Sequence, residues 1–132
     1  MSDQSKWQND YLTGIVWQDA QHKLFLDNFN ALALIYAYEG DPDIEKLIFF
    51  LELYADNHFT TEEAYMELTD YPDIINHRIE HENFLNSIKE IDRNITKLDG
   101  EVFCEKMKSW FVNHIRGVDH EFGEYLRSKG QF

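Results

Sequence analysis

Two pairs of metal-ligating residue types, each spaced four positions apart, constrain the fold of this chain more than any other feature. His58 and Glu62 form one pair, and His77 and His81 form the other. On an α-helix this spacing places both side chains on one face, one turn apart. Imidazole and carboxylate groups are costly to bury unless something binds them, and together they suit a first-row transition metal. The pairs therefore predict two inward-facing helical segments and a metal site that needs further ligands.

Length and composition indicate the number of domains and exclude some kinds of binding partner. A chain of 132 residues with 43% hydrophobic residues predicts one globular domain. The formal net charge of −13 argues against nucleic acid or an anionic membrane surface as a partner, because both need a cationic patch. Cys104 is the single cysteine, which fits a reducing cytoplasm, and the polar start at Met1 to Trp7 gives no signal peptide. We expect a cytoplasmic protein without a membrane span, and no surface pattern identifies a protein partner.

Four segments have apolar residues at helical spacing, and no strand pattern competes with them. They cover about residues 19–39, 43–68, 73–95 and 101–116, with connections predicted at Gly40 to Pro42, Asp70 to Pro72 and Leu98 to Gly100. Short connections predict an all-α fold, an up-down-up-down antiparallel four-helix bundle. We expect a single domain over residues 1–132, with an N-terminal arm at 1–18, the bundle at 19–118 and a C-terminal segment with a short helix at 119–132.

The antiparallel topology brings most of the histidines to one end of the bundle. At ~1.5 Å per residue, five imidazoles lie within roughly 15 Å of that end: His22, His58, His77, His81 and His114. His120 has no place in this set and is expected to be exposed. Asp119 follows His114 by five residues, which on a regular helix would turn the two side chains about 140° apart. We therefore predict that the helix unwinds near Gly117 and swings the Asp119 carboxylate inward.

Counting ligands predicts two unequal metals. If Glu62 and Asp119 each bridge the pair and a solvent oxide or hydroxide bridges as well, each metal has three shared oxygens. Three imidazoles then complete six-coordination on one metal, and two leave the other five-coordinate and able to take a small ligand. Five histidines and two carboxylates exceed one tetrahedral zinc site. A ferritin-like site is excluded by spacing, because no glutamate precedes a histidine by three positions.

Several stretches of the chain resemble the hemerythrin family, most of all its bacterial single-domain members. The similarity covers about Trp7 to Leu126 and is carried by Asp19-Ala20-Gln21-His22-Lys23, His58-Phe59-Thr60-Thr61-Glu62-Glu63, Tyr71-Pro72, His77-Arg78-Ile79-Glu80-His81 and Asn113-His114-Ile115-Arg116-Gly117-Val118-Asp119. The resemblance implies two iron ions bridged by Glu62, Asp119 and an oxo or hydroxo group. It assigns His77, His81 and His114 to the closed iron, and His22 and His58 to the open one.

The resemblance also implies a function, which is reversible dioxygen binding at a non-haem di-iron centre for storage, delivery or scavenging. Dioxygen would end as hydroperoxide on the five-coordinate iron, with the proton supplied by the bridging hydroxide. The candidate lining of the ligand pocket is apolar and consists of Phe25, Phe59, Ile74, Trp110, Phe111 and Ile115. Phe111 departs from the family pattern, since hemerythrins often carry leucine there. The bulkier ring bears on ligand access and not on metal binding.

Two other functions stay open at the level of sequence. The same site could serve a di-iron enzyme that reduces dioxygen, peroxide or nitric oxide, or a sensor of oxygen or iron. Tyr54 and Tyr65 each lie within a turn of a predicted ligand, and either could point its hydroxyl at the pocket or merely pack, with packing the favoured interpretation. Glu63 and Glu80 are interpreted as solvated surface charges, and so is Glu82.

Overall fold

The computed structural model describes residues 7–38, 44–91 and 96–132 of the chain. Its helices are α1 (Val16–Tyr38), α2 (Glu45–Leu68), α3 (Ile74–Lys89), α4 (Lys97–His114) and α5 (His120–Ser128). A short 3₁₀ turn at Asn9–Tyr11 precedes α1, and a π-helical turn at Ile115–Asp119 joins α4 to α5. The predicted all-α four-helix bundle with a short C-terminal helix is confirmed. Among the described residues, no helix combines the length and apolar character needed to cross a membrane.

Aromatic rings fill the centre of the bundle. Helix α1 packs against α2 and α4, and α2 packs against α3. Phe25 of α1 is fully buried, and its ring centroid lies 5.6 Å from that of Phe29 and 4.0 Å from that of Phe111. Phe84 and Trp110 join α3 to α4 with ring centroids 4.6 Å apart. Burying a phenylalanine side chain contributes about 1.5–3 kcal/mol, so this aromatic core holds the four helices in fixed positions around the site.

A second apolar cluster closes the end of the bundle beyond the histidines. Its buried members are Ile15, Met66, Tyr71, Phe122 and Leu126. Helix α5 supplies Phe122 and Leu126, and it lies so close to the N-terminal arm that a Cβ on Gly123 would stand 2.8 Å from Cβ of Thr13. This cap of side chains separates the histidine end of the bundle from solvent.

Side chains near the helix starts fix two segments of backbone. Helix α1 begins at Val16, three residues before the predicted start, and the Asp19 carboxylate in its first turn accepts hydrogen bonds from the backbone N–H groups of Thr13 (2.8 Å) and Gly14 (3.1 Å), which holds the arm against the helix. Helix α4 begins at Lys97, because the hydroxyl of Thr96 accepts from the backbone N–H of Asp99 at 3.1 Å. Neither contact depends on the apolar period.

Two predicted boundaries are corrected. The predicted break at Leu98 to Gly100 is wrong, since all three residues lie inside α4. Gly100 is needed there for a close approach, because a Cβ would stand 2.1 Å from the hydroxyl oxygen of Tyr36. Helix α3 ends at Lys89, short of the predicted end at residue 95. The predicted connection at Gly40 to Pro42 and residues 92–95 lie outside the described residues.

The π-helical turn at Ile115–Asp119 solves the spacing problem between His114 and Asp119. An α-helix would turn residues five apart away from each other by about 140°. A π turn holds more residues, with hydrogen bonds from i to i+5, so the fifth residue returns toward the starting face. Nε2 of His114 and Oδ1 of Asp119 consequently lie 3.0 Å apart. The predicted departure from α geometry near Gly117 is therefore present, as a wider turn and not as an unwound segment.

Candidate metal centre

All seven predicted ligands converge at the histidine end of the bundle, and each is 3% exposed or less. Helix α1 contributes His22, α2 His58 and Glu62, α3 His77 and His81, α4 His114, and the π turn Asp119. Buried polar groups in such number need partners or a ligand, because desolvation without compensation is costly.

The Asp119 carboxylate faces imidazoles on two sides. Its Oδ1 lies 2.9 Å from Nε2 of His77 and 3.0 Å from Nε2 of His114. Its Oδ2 lies 2.9 Å from Nε2 of His22. One carboxylate thus presents a different oxygen to each of two groups of histidines.

The two oxygens of the Glu62 carboxylate likewise face different histidines. Its Oε1 lies 3.1 Å from Nε2 of His81 and 3.6 Å from Nε2 of His77. Its Oε2 lies 3.5 Å from Nε2 of His58. The two carboxylates together define a three-histidine set (His77, His81, His114) and a two-histidine set (His22, His58), and each set faces one oxygen from each carboxylate.

The donor atoms fit metal ions. Within each set, the ring nitrogens and the facing oxygens of Glu62 and Asp119 lie within 4.8 Å of one another. Several of these buried atoms have no hydrogen-bond partner of acceptable geometry among the described residues: Nε2 of His22, His58, His81 and His114, Oε1 of Glu62 and Oδ2 of Asp119. Atoms of this kind, aimed at a common centre, are what a bound cation would satisfy, and nitrogen with carboxylate oxygen suits a first-row transition metal.

The pKa values of the clustered side chains also reflect the close approach of imidazoles and carboxylates. Burial disfavours the charged form of His77, but the adjacent carboxylates of Asp119 and Glu62 outweigh that effect and raise its pKa to about 10. Burial likewise opposes protonation of His114, yet the adjacent carboxylates of Asp119 and Glu80 raise its pKa to about 9. The imidazoles in turn hold the pKa values of Glu62 and Asp119 well below their usual range, against the effect of burial. Without a metal, protons therefore hold the ionised carboxylates and imidazoles together.

Carboxylates outside the cluster orient two of its histidines, and the interpretation of Glu63 and Glu80 as solvated surface charges was wrong. Nδ1 of His81 lies 2.9 Å from Oε2 of Glu63, and Nδ1 of His114 lies 2.9 Å from Oε1 of Glu80. Their long side chains reach across to the neighbouring helix. A carboxylate on Nδ1 fixes the ring with Nε2 facing the cluster. The position of each glutamate beside a predicted ligand in the sequence was the available signal.

Two glutamines add contacts that the sequence analysis did not anticipate. Gln18 is fully buried, and its Nε2 donates a 2.7 Å hydrogen bond to Oε2 of Glu62. The side-chain oxygen of Gln21 accepts a hydrogen bond from Nδ1 of His58. Gln18 lies one turn before His22 on the same helix, and that i−4 spacing was the signal that could have identified it.

Aromatic rings cover the three-histidine set. The Phe59 ring stacks on His81 with centroids 3.8 Å apart and planes within 5°, and Trp110 stacks on His114 at 4.5 Å and 15°. Two of the predicted lining residues thus lie against the three-histidine set and shield it from water.

The other predicted lining residues lie in three different places. Phe111 meets the His22 ring edge-on at 5.7 Å, and Phe25 packs against Phe111 at the same side of the site. Ile115 is fully buried in the main core. Ile74 packs against the second cluster, at the end of the bundle. Phe25 and Phe111 therefore form the apolar wall beside the two-histidine set.

Tyr54 belongs to the same wall and brings a polar atom into it. Its ring lies 5.1 Å from that of His58 and 4.3 Å from that of Phe25. Burial, followed by the negative charges of Glu62 and Asp119, raises the pKa of its hydroxyl well above the usual value. On the solvent side, Tyr54, Phe25, His58 and Gln21 line part of a pocket of about 250 Å³ between α1 and α2.

His120 and Cys104 lie outside the cluster. Nδ1 of His120 is 3.4 Å from the carboxylate of Glu124, and the His120 side chain is 39% exposed. Cys104 is buried away from the histidines, and burial raises the pKa of its thiol to about 11. Such a thiol stays protonated at neutral pH and is a poor metal ligand.

Comparison with known proteins places this cluster in a family. The model of the hemerythrin HHE cation binding domain matches residues 13–126. A bacteriohemerythrin from Ralstonia nicotianae is 30% identical over 128 residues, which cover 95% of this chain and 90% of the relative. One from Methylococcus capsulatus is 28% identical over 120 residues, covering 89% and 92%. A myohemerythrin from Theromyzon tessulatum is 32% identical over 79 residues, covering 60% and 59%. No solved structure matches. Because the family model spans most of the chain and includes all seven clustered residues, the chain belongs to the hemerythrin family.

Proposed function

We propose that the chain binds dioxygen reversibly at a pair of iron ions, for storage, delivery or scavenging. His77, His81 and His114 would hold one ion, His22 and His58 the other, and Glu62 and Asp119 would bridge them. The division of the two carboxylates, with one oxygen of each facing each histidine set, supports this function most directly. The two-histidine side has one imidazole fewer, so a small ligand would bind there.

The protein supplies a protected place for the ligand. A pair of ferrous ions, if bound by these residues, would supply the two electrons that take dioxygen to the peroxide level. The rings of Phe25 and Phe111 beside the two-histidine set keep bulk water away. Excluding water slows the loss of a bound anionic ligand, and this favours reversible binding over turnover.

The outer carboxylates keep the three-histidine side closed. Glu63 and Glu80 accept from Nδ1 of His81 and His114, so each ring presents Nε2 to the metal. Fixed rings would favour retention of all the protein donors at the three-histidine set, and a small ligand would then bind at the two-histidine set.

The test is metal content combined with an oxygen-dependent spectrum. Purified protein is loaded with Fe(II) under anaerobic conditions, its iron is counted, and absorbance is recorded before and after exposure to dioxygen. We expect two iron ions per chain, and a new absorption band that disappears under vacuum and returns with dioxygen.

Two alanine variants make this test specific. His58→Ala should lower iron below two per chain, since metal binding is coupled to the ligands that face it. His120→Ala is the matched control and should keep the full content, because His120 lies outside the cluster. One ion per chain in fully loaded wild-type protein would exclude the di-iron function.

A di-iron enzyme is the second candidate, and the buried hydroxyl of Tyr54 favours it, since a polar O–H in the ligand wall could support proton-coupled reduction. Stopped-flow mixing of the diferrous protein with dioxygen separates the two functions. A long-lived, reversible spectrum supports carriage. Rapid decay with continuing consumption of reductant supports turnover of dioxygen, peroxide or nitric oxide.

A further inference from the structure

The hydroxyl of Tyr54 has no explanation in packing. Its ring contacts Phe25 at 4.3 Å and Phe111 at 6.2 Å between centroids, and a phenylalanine ring could make the same contacts. The hydroxyl oxygen is buried and has no hydrogen-bond partner among the described residues. Buried polar atoms of native proteins nearly always have a partner, so this oxygen indicates one that comes from outside the chain.

The geometry of α2 shows where that partner would lie. Tyr54 precedes His58 by one turn on the same face, and the two rings are within 19° of parallel with centroids 5.1 Å apart. The hydroxyl oxygen is buried, while Tyr54 and His58 also line the same pocket between α1 and α2. Because the ring lies beside that of His58, the region around the two-histidine set is the nearest place for such a partner.

We propose that Tyr54 donates a hydrogen bond to the small ligand that binds at the two-histidine side of the metal pair, an inference that rests on the function proposed above. A phenol is protonated at neutral pH and is a donor there. Hydrogen bonds to charged acceptors are about twice as strong as neutral ones, so the contact selects ligands that carry negative charge when bound. The apolar neighbours Phe25 and Phe111 offer such a ligand no competing donor.

Azide, a small anion, provides the test with the diferric protein. Wild type and Tyr54→Phe are titrated with azide and followed by absorbance, after iron content and melting temperature have been matched. We expect Tyr54→Phe to bind azide about tenfold more weakly, the loss that follows removal of one hydrogen bond to a charged ligand. Tyr65→Phe is the matched control and should bind as wild type does, because Tyr65 stacks on Trp17 in the second cluster.

Infrared spectra of bound azide supply a readout that packing alone would not change. The azide band should shift between H₂O and D₂O in wild type, and this shift should vanish in Tyr54→Phe. Equal azide affinity in wild type and Tyr54→Phe, or no solvent isotope shift in wild type, overturns the inference and leaves the proposed function intact. Loss of iron from Tyr54→Phe also overturns it, since Tyr54 would then act on metal retention. Failure of the iron-loaded wild type to bind azide at all removes the proposed function itself.

Discussion

Replacing Glu80 with alanine tests whether an outer carboxylate strengthens metal binding through His114. Oε1 of Glu80 lies 2.9 Å from Nδ1 of His114, and this contact lowers the pKa of Glu80. Losing such a partner of a ligating histidine costs about 10- to 100-fold in metal affinity, or about 1.4–2.7 kcal/mol. The Glu80 side chain is 39% exposed, so water weakens the interaction and we expect a loss near the lower limit, about tenfold.

The matched control is Glu82→Ala, on the same helix two residues further along. Glu82 is exposed and carries the same charge, so it reproduces the change in net charge without the contact to His114. Fe(II) affinity is measured anaerobically by competition with a chromogenic chelator of known affinity. A Glu80→Ala affinity within twofold of that of Glu82→Ala would refute the reasoning, because long-range charge would then explain the whole effect.

Two other outcomes can be measured on the same preparations. The pKa values of His77 and His114 are raised to about 10 and about 9, so both rings are protonated imidazolium groups at pH 7 in the metal-free protein. Iron loading in weak buffer near pH 7 should release at least two protons per chain, and iron affinity should rise with pH because fewer protons are displaced. Release of less than one proton would contradict the assigned charges. Phe111→Leu should raise the association rate of azide several-fold in stopped-flow experiments, because a smaller side chain opens the wall beside His22; an unchanged rate would show that Phe111 does not limit access.

The fold and the convergence of the seven clustered residues could be predicted from the sequence, because both follow from local periodicity. An apolar stripe with helical spacing determines which face of a helix is buried, and short connections make neighbouring helices antiparallel. Residues at i and i+4, such as His58 and Glu62, then share that face wherever the helix lies. The need for a distorted turn before Asp119 could be predicted for the same reason, from a spacing of five.

Contacts between side chains on different helices could be identified only from the tertiary structure. Helical periodicity already turns Glu80 and Glu82 to different sides of α3, but only the position of α4 brings His114 within reach of Glu80. The helix start at Lys97 likewise depends on the cap made by Thr96, which the apolar period does not record.

The environment of the Tyr54 hydroxyl is a second property that only the tertiary structure shows. The spacing of Tyr54 and His58 placed both on one face, but it left the hydroxyl free to point at the pocket or away from it. The tertiary structure buries that oxygen next to the rings of Phe25 and Phe111, which the spacing alone could not predict. Periodicity along the chain determined which residues meet, and close packing between helices determined which of their atoms do.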